Sequence, residues 1–308
     1  MLSSALNRAS RSSGARRAVE RFPVTRKVVD RFVAGETIPQ AVAAAADLDG
    51  RGVRVTIDVL GEDVTDLAGA QAIRDGYLAL LFELHEADLA IGSDVSLKLS
   101  ALGQSLPVSG PEIATLHAHQ VCAAAEAVGC TVTLDMEDHT TVDSTLLIDN
   151  ELRADYPATG NVLQSNLRRT SDDIAALAGS GAGLRLVKGA HKEPAAAAYQ
   201  RKVDVDEAYA SDIDALMASC CYPMIATHDP QMVAHASSAA QVHGRGSADW
   251  ELQMLYGVRT DLQARAVQEG RLMRVYVPFG DDWYGYFMRR LAERPANVAF
   301  FGRALLHR

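Results

Sequence analysis

Acidic residues and a histidine lie close together near the middle of the chain. Asp135, Glu137 and Asp138 fall within four positions, and His139 follows them directly. Three carboxylates and an imidazole are a ligand set that a metal ion could use, but the same groups could orient cationic side chains. Because basic residues come from neighbouring segments, we favour charge balancing and keep a metal site as the alternative.

Two cations and two small residues occur together further along the chain. Arg185 and Lys188 are three positions apart in an apolar run, and Gly189 and Ala190 follow. Side chains alternate between the two faces of a strand, so both cations cannot point to the same side. Arg185 can offer a fork of donors to a ligand, and the small residues allow a cofactor to approach the backbone. The alternative is a surface arginine beside a lysine that pairs with a carboxylate.

A pair of arginines lies near the carboxyl end. Arg289 and Arg290 fall in a segment predicted to form a helix that stops before Pro295. Tyr286 lies one helical turn earlier, so it could wall a pocket in which the arginines bind a carboxylate. The alternative is an exposed helical face with an ion pair between Arg289 and Glu293, four positions apart.

These residues need a scaffold, and the spacing of the apolar runs indicates one. Eight short β-branched or apolar runs alternate with segments of helical pattern, which is typical of repeated βα units. The sequence therefore predicts an α/β protein, a (β/α)8 TIM-type barrel with additional N-terminal helices, and an open doubly wound sheet is the alternative. The predicted strands are Val53–Leu60, Asp94–Ser100, Thr131–Glu137, Asn161–Leu167, Leu184–Ala190, Tyr222–His228, Trp250–Tyr256 and Met273–Pro278.

Polar residues fall at or near the end of each predicted strand. In a (β/α)8 barrel the carboxyl ends of the strands meet on one face, and that face holds the ligand site. We therefore predict a polar site at this end of the barrel. The residues are Asp58, Lys98, Asp135, Gln164, Lys188, His228, Gln253 and Tyr276.

Composition and charge narrow the possible partners. The 308 residues carry a formal net charge of −9, which gives no general attraction to nucleic acid or anionic lipid. No apolar run approaches the roughly 20 residues that span a bilayer, so any membrane contact would be peripheral. Residues 1–19 resemble a transit peptide only superficially, and we expect a cytoplasmic protein. We divide the chain into an N-terminal helical segment, 1–49, packed on the barrel, and a catalytic barrel, 50–308.

Several motifs occur in the same order as in a known family. They are Ser96–Leu102, Arg185–Ala190, Ala226–His228, Gln253–Gly257 and Tyr286–Leu291. Together they resemble the proline dehydrogenases, and the resemblance runs in order from Arg31–Thr37 to about Asn297. The chain is similar to the compact monofunctional bacterial form and not to the long bifunctional chains fused to an aldehyde dehydrogenase.

The resemblance implies a distorted barrel that binds FAD at its carboxyl face. It implies oxidation of L-proline to 1-pyrroline-5-carboxylate, the first step of proline catabolism to glutamate, by hydride transfer to FAD, with a membrane quinone as electron acceptor. In the implied substrate site, Lys98, Arg289 and Arg290 would bind the proline carboxylate. Leu255, Tyr276 and Tyr286 would shape the pocket for the ring.

The same motifs imply a set of FAD contacts. They are Met136, Gln164, Arg185, Val187, Lys188, Gly189, Ala190, Thr227 and His228. The implied catalytic residues are Arg185, near the flavin N5 edge, and Asp135, which would orient the cationic site. Glu62, in the loop after the first strand, matches a residue that closes over the substrate by pairing with the first arginine, here Arg289. The chain departs from the family at His191, where tyrosine is common, and this leaves the packing beside the flavin open.

The residues by themselves leave other functions open. Lys98 or Lys188 could be the Schiff-base nucleophile of an aldolase, and the two arginines could bind an anionic metabolite or partner without catalysis. A Rossmann domain is not predicted, because no GxGxxG follows a strand and opens a helix. The four cysteines show no CxxC spacing, so we expect reduced thiols at or near the core and neither a disulfide framework nor a zinc site.

Overall fold

The computed structural model describes residues 29–61 and 64–293, with side chains as far as Met288. Within these ranges eight parallel strands pair in chain order, and the last pairs with the first, so the sheet closes into a barrel. The predicted (β/α)8 fold is confirmed and the open-sheet alternative is wrong. The strands are β1 (Arg54–Val59), β2 (Asp94–Leu97), β3 (Thr131–Leu134), β4 (Gly160–Gln164), β5 (Gly183–Val187), β6 (Tyr222–Ala226), β7 (Glu251–Leu255) and β8 (Met273–Phe279).

Helices return the chain from the carboxyl end of one strand to the amino end of the next, as parallel pairing requires. Within residues 29–61 and 64–293, one helix lies directly before the first strand, and one follows each strand. The helices of the described residues are α1 (Ile38–Asp49), α2 (Leu67–Glu86), α3 (Gly110–Val128), α4 (Val142–Asp155), α5 (Thr170–Leu177), α6 (Lys202–Ala218), α7 (Pro230–Val242), α8 (Thr260–Gln268) and α9 (Trp283–Glu293).

The two faces of the strands carry different kinds of side chain. Residues such as Ile57, Leu97 and Leu186 are buried in the hydrophobic core together with the inner faces of the helices. Burial of one such side chain contributes roughly 1.5–3 kcal/mol to stability. The residues between them point into the lumen because side chains alternate along a strand, and there the chain places polar and charged groups. The main hydrophobic core is therefore the layer between strands and helices.

The start of α7 is built as its sequence predicts. The Asp229 side chain accepts a hydrogen bond from the Gln231 amide at 3.0 Å, and Pro230 lies in the first turn, where its missing N–H is not needed. A cap of this kind contributes about 1 kcal/mol. The tight start of the helix keeps Thr227 and His228 at the carboxyl end of β6.

The helix after β5 begins later than predicted. The pattern from Ala195 to Ser219 favours a helix throughout, but α6 starts only at Lys202. The preceding residues are bonded to the loop after β4 instead, for example through the Tyr199 N–H, which donates to the Asn166 carbonyl at 2.8 Å. These bonds between distant segments replace the first helical turns and hold a structured loop above β5.

The residues before the first strand cover one side of the barrel. The buried face of α1, which includes Ala41, Ala45 and Leu48, packs against β1 and β8. Upstream of α1, the Ala34 N–H donates to the Pro278 carbonyl near the end of β8. An N-terminal helix therefore packs on the barrel, while the exact division at residue 49 stays a prediction.

The last helix packs on this N-terminal segment. Trp283 and Phe287 of α9 form a buried cluster with Phe32 and Leu60, separate from the main core. The Trp283 indole N–H also donates to a Glu36 carboxylate oxygen at 2.9 Å. These contacts fix the start of α9 beside the carboxyl end of β1.

Several predictions fall outside what the structure describes. They concern residues 1–19, Glu62, and the side chains of Arg289 and Arg290. Among the described residues, no helix combines the length and the apolar character needed to cross a bilayer.

The cysteines are free thiols, and three of the four lie in the core as predicted. Cys122, Cys130 and Cys221 are buried, whereas Cys220 is exposed. Burial raises the pKa of the Cys122 thiol to about 12. This thiol is therefore inert, because the thiolate is the reactive form.

Candidate active site

The lumen of the barrel holds charged side chains, and Arg185 lies at their centre. Its side chain is only 4% exposed, and its five N–H groups all meet protein acceptors, contributed by β1, β2, β7 and the residue after β3. The acceptors are Thr56 Oγ1 at 3.4 Å, Asp94 Oδ2 at 3.1 Å, Ser96 Oγ and Asp135 Oδ1 at 2.9 Å, and Gln253 Oε1 at 2.7 Å. Arg185 is therefore a positive charge of fixed orientation inside the barrel.

Asp135 joins Arg185 to the rim of the barrel. Its Oδ1 accepts from Arg185, its Oδ2 accepts from the Tyr276 hydroxyl at 2.7 Å, and the Lys98 Nζ lies 3.9 Å from the same Oδ2. The Tyr276 ring also lies 5.5 Å from the guanidinium carbon of Arg185. Burial, together with the neighbouring Asp135 carboxylate, raises the pKa of Tyr276 well above its usual range. Tyr276 therefore stays a hydrogen-bond donor, and Asp135 contacts both cations.

Lys98 and Asp58 form an ion pair between neighbouring strands. The Lys98 Nζ lies 2.6 Å and 2.7 Å from the two carboxylate oxygens of Asp58. Asp58 is buried, whereas the Lys98 side chain is 16% exposed. Burial raises the pKa of Asp58, and the Lys98 ammonium opposes this shift only in part. Lys98 thus brings a cation to the mouth of the barrel between two carboxylates, those of Asp58 and Asp135.

Two of the eight polar residues lie deeper than predicted, because Gln253 and Tyr276 are in the middle of their strands. The Gln253 amide bridges two charges: its Oε1 accepts from Arg185, and its Nε2 donates to Glu251 Oε1 at 2.6 Å. Arg185 can only donate and ionised Glu251 can only accept, so the orientation of the amide is fixed. Gln253 therefore holds Arg185 through a hydrogen bond whose direction is fixed.

Sequence reasoning missed three charged residues of the lumen, Asp94, Glu251 and Arg274. Glu251 and Arg274 form a buried ion pair with a 2.6 Å contact. Burial opposes ionisation of Glu251, but the Arg274 guanidinium outweighs it and lowers the Glu251 pKa. Glu251 precedes Gln253 by two positions on β7, and Arg274 precedes Tyr276 by two positions on β8. The period-two alternation of a strand could have placed them on the same face.

The ends of β4, β5 and β6 form the other part of the rim, where FAD contacts are expected. Gln164 is the last residue of β4, Val187 is the last of β5, and Thr227 follows β6. These three strands are neighbours in the barrel. The polar residues around Asp135 come from the other side of the barrel, on or just after β8 (Tyr276), β1 (Asp58), β2 (Lys98) and β3 (Asp135). Arg185 reaches this group across the lumen from β5. The charges that face the lumen are therefore concentrated on the β8 to β3 side of the rim, the charged half, because Lys188 on the other half pairs outside the lumen.

The loop after β5 has the features of a ligand cradle. Gly189 has a φ of +94°, which favours glycine, and a Cβ atom at this position would lie 2.1 Å from Asn166 Oδ1. That oxygen is buried and has no hydrogen-bond partner among the described residues. A buried acceptor without a donor costs about 1–3 kcal/mol. The unsatisfied oxygen of Asn166 is therefore the feature of this loop that fits a ligand with hydroxyl donors, such as FAD.

Lys188 points away from the lumen. Its Nζ lies 2.6 Å from Asp206 Oδ1 on α6 and 3.5 Å from Asp229 Oδ2 at the start of α7. Arg185 points inward, so the two cations diverge as strand alternation requires. The ammonium of Lys188 lies beside the amino terminus of α7, where backbone N–H groups favour a phosphate. Its contact with FAD stays a prediction.

The other residues assigned to the ligands are distributed around this half. The Leu255 N–H donates to His228 Nε2 at 2.9 Å, so this ring nitrogen is an acceptor and Nδ1 carries the proton. Met136 is buried in a small apolar cluster with Val162. Ala190 is exposed in the loop after β5. Leu255 and His228 thus link the ends of β7 and β6.

The acidic cluster that suggested a metal site does not converge on one point. Asp135 faces the lumen, Glu137 accepts from the amide and hydroxyl of Ser100, and His139 pairs with Glu193. In the described part of the chain, no three His, Cys, Asp or Glu side chains form a group that could hold a metal ion. Charge balancing describes Asp135, which contacts Arg185 and Lys98, whereas Glu137 is bonded to neutral groups of Ser100.

The carboxy-terminal residues of the predicted site lie on or near α9. Tyr286 is buried where α9 packs on the N-terminal segment. Arg289 and Arg290 follow within one turn of the same helix, but their side chains, like Glu62, are outside the described part of the chain. His191 is exposed in the loop after β5. The structure places the backbone of the two arginines but tests neither their contacts nor those of Glu62.

A closed (β/α)8 barrel whose charged lumen opens at the carboxyl ends of the strands has the organisation of a barrel enzyme. A family model described as "Proline dehydrogenase" matches residues 41–303. The chain therefore belongs to the proline dehydrogenase family.

Relatives of similar length support this assignment. Proline dehydrogenase of Deinococcus radiodurans is 39% identical over 281 residues, which cover 91% of this chain and 90% of the relative. Proline dehydrogenase 1 of Bacillus subtilis strain 168 is 38% identical over 282 residues, which cover 92% of each chain. The match to the bifunctional protein PutA of Escherichia coli is 29% identical and covers only 26% of that protein. The predicted similarity to the compact form is confirmed.

A structural comparison agrees with the fold. Proline utilization A from Bdellovibrio bacteriovorus superposes with a TM-score of 0.80 at 24% sequence identity, over 87% of this chain and 33% of that one. At this identity the likeness shows the barrel fold alone. The chain spans about a third of the larger protein.

Proposed function

We propose that the protein is an FAD-dependent proline dehydrogenase. It oxidises L-proline to 1-pyrroline-5-carboxylate, the first step of proline catabolism to glutamate, and passes the electrons to a quinone. Membership of the family supports proline oxidation. The observation that carries the assignment of a cofactor is the divided rim, in which a charged half lies beside a loop with a positive-φ glycine and a buried acceptor without a partner among the described residues.

The charged half is suited to the substrate. Lys98 brings an ammonium group to the mouth of the barrel, and α9 brings the backbone of Arg289 and Arg290 to the same end. Three cations can hold the carboxylate of proline through charge-assisted hydrogen bonds. The proline ring would lie against Leu255, Tyr276 and Tyr286, and Glu62 would close the site by pairing with Arg289.

The other half is suited to the cofactor. FAD, when bound, supplies the acceptor for the hydride that leaves C5 of proline. Gln164 is held by a 2.7 Å bond from its Nε2 to the Glu137 carbonyl, and His228 is held by the Leu255 amide. Fixed side chains of this kind position a ligand with little loss of entropy. The residues that would hold it are Met136, Gln164, Arg185, Val187, Lys188, Gly189, Ala190, Thr227 and His228. Arg185, whose N–H groups are all bonded to protein acceptors, would act on FAD through its charge.

Arg185 and Asp135 are the residues that we assign to catalysis. Arg185 contributes a guanidinium of fixed orientation, and its positive charge, which Asp94 and Asp135 partly compensate, would favour negative charge on the reduced flavin. Because its N–H groups are already bonded within the lumen, little reorganisation accompanies the reaction. Asp135 orients Arg185, Tyr276 and Lys98 relative to one another.

Transfer to a quinone requires access to a membrane. We assign the protein to the cytoplasm, with peripheral contact at the inner face of the membrane. With a formal net charge of −9, contact through general electrostatic attraction to anionic lipid is not expected.

Anaerobic titration of the purified protein with L-proline, followed at the flavin absorption band, tests the proposal. We expect a yellow protein whose band is bleached by proline. A flavin that stays oxidised under excess proline would contradict proline oxidation, and a colourless protein would contradict the cofactor.

The titration also separates the alternatives. A colourless protein that borohydride traps with a carbonyl substrate would support a Schiff-base aldolase. A protein that shows neither flavin bleaching nor trapping would support a protein that binds an anion without catalysis. The structure argues against the aldolase, since a nucleophilic lysine needs an unprotonated amine. Lys98 and Lys188 are both ion-paired with carboxylates.

A further inference from the structure

We propose that Asp94 is a positioning residue, which holds the Arg185 guanidinium and sets the charge presented to the bound flavin. This inference rests on the proposed function, because it requires a flavin at the rim. Asp94 is the first residue of β2, and its side chain is 3% exposed. Its Oδ2 lies 3.1 Å from Nη2 of Arg185.

Three hydroxyl groups fix the carboxylate of Asp94. Thr56 Oγ1 lies 2.9 Å from Oδ2, Thr131 Oγ1 lies 2.9 Å from Oδ1, and Thr133 Oγ1 lies within 3.1 Å of both oxygens. With the bond from Arg185, both oxygens have several donors around them. A buried carboxylate surrounded in this way is rigid, and its direction does not depend on solvent.

Arg185 has two carboxylate partners, and they differ in what else they contact. Asp135 also accepts from Tyr276 and lies near Lys98, so its surroundings belong to the substrate half. The other hydrogen-bond partners of Asp94 are neutral hydroxyls on β1 and β3, and the second cation that interacts with it, Arg274, is itself paired with Glu251. Asp94 can therefore compensate the charge of Arg185 independently of what binds at the mouth of the barrel.

The charge of this group has a measurable consequence. In the group formed by Arg185, Asp94 and Asp135, one cation is paired with two carboxylates. The variant Asp94→Asn removes one negative charge from this group with little change of shape. An added unit of positive charge beside a flavin in a buried site favours its reduced, more negative form. The reduction potential of the bound flavin should therefore rise, with little effect on proline binding.

Redox titration of the flavin-loaded D94N variant tests this inference. At a given potential we expect the ratio of reduced to oxidised flavin to rise on the order of tenfold, about 30 mV for a two-electron couple. The KM for proline should stay within about threefold of the wild-type value, because the substrate cations are unchanged. Asp149→Asn is the matched control, since Asp149 is equally buried but lies on α4 outside the barrel. Its potential should equal that of the wild type.

A second variant covers the case in which D94N loads flavin poorly. Asp94→Ser is also uncharged, can still bond to the threonines, and should raise the potential in the same direction. A potential equal to the wild-type value in a flavin-loaded variant would overturn the role of Asp94. That result is distinct from failure of the proposed function, in which the wild-type protein itself would lack a flavin or fail to be reduced by proline.

Discussion

Each buried charge of the lumen is explained by its partners. An unpaired ion in a protein interior costs several kcal/mol, so Arg185 requires carboxylates and Arg274 requires Glu251. Lys98 differs because it is partly exposed and lies between two carboxylates at the mouth. It is therefore the described cation best placed to meet a substrate anion. The other two cations of the proposed carboxylate site belong to α9.

Replacement of either α9 arginine by methionine should raise the KM for proline by about 10- to 100-fold. The reason is that a hydrogen bond between charged groups contributes about 1.5–3 kcal/mol. Flavin content should stay normal, because the proposed FAD contacts lie on the other half of the rim. Steady-state kinetics of Arg289→Met and Arg290→Met measure this.

The matched control is Arg265→Met on α8, where the arginine is exposed and paired with Glu269. It removes the same charge from the protein surface and should leave the kinetics unchanged. A wild-type KM for proline in both Arg289→Met and Arg290→Met would show that these arginines do not bind the substrate.

Among the elements, the loop after β5 is the one on which the proposed cofactor site most depends. It connects β5 to a helix that starts late, and its backbone is bonded to the loop after β4. Because β4 and β5 are neighbours in the barrel, the two loops stand side by side. Gly189 allows them to approach so closely that no Cβ fits between them.

Gly189→Ala should lower both flavin affinity and stability. The new Cβ would meet Asn166 Oδ1 at 2.1 Å in a left-handed backbone conformation. We expect the dissociation constant of FAD to rise at least about tenfold and the free energy of unfolding to fall by about 1–3 kcal/mol. Flavin titration of the apoprotein and urea denaturation measure the two effects.

Gly181→Ala separates backbone strain from the loss of the cradle. Gly181 also has a positive φ, of +70°, but a Cβ there would meet no atom within 4 Å. The control should lose stability without losing FAD affinity. If Gly189→Ala bound FAD as tightly as this control, the loop would not be the cofactor cradle.

For the molecule as a whole, the arrangement of layers separates stability from chemistry. The hydrophobic core lies between the strands and the helices, and the lumen is left to polar groups. Closure of the sheet leaves no exposed edge that could pair with another chain. Global stability therefore depends mainly on the outer layer, which includes buried carboxyl groups such as that of Asp149.

Asp149 should make the stability of the molecule depend on pH. Burial raises its pKa from 3.8 to about 6. A raised folded pKa means that the protonated form is preferred on folding, so its stabilising effect is full below pH 3.8 and is lost as pH rises through about 6. Asp149→Asn should therefore unfold less readily than wild type at pH 7.5, by up to about 3 kcal/mol, with a smaller difference at pH 4.5.

Urea denaturation of both proteins at the two pH values measures this difference. Asp143→Asn, on the same helix but exposed and paired with Arg169, should change stability by less than about 1 kcal/mol at either pH. An Asp149→Asn variant with the same stability difference at both pH values would show that this carboxyl group does not titrate as proposed.

The sequence by itself determined the repeat of strands and helices and the family, and it predicted the strand ends that carry the candidate site. These follow from local periodicity and from motifs of contiguous residues, such as the polar ends of β2 and β5. The tertiary structure decided which charges meet in the lumen. Arg185 finds Ser96 and Asp94 across the barrel, 89 and 91 positions away, and Asp135 finds Tyr276 141 positions away. Such pairings depend on closure and register of the whole sheet, which no local pattern encodes.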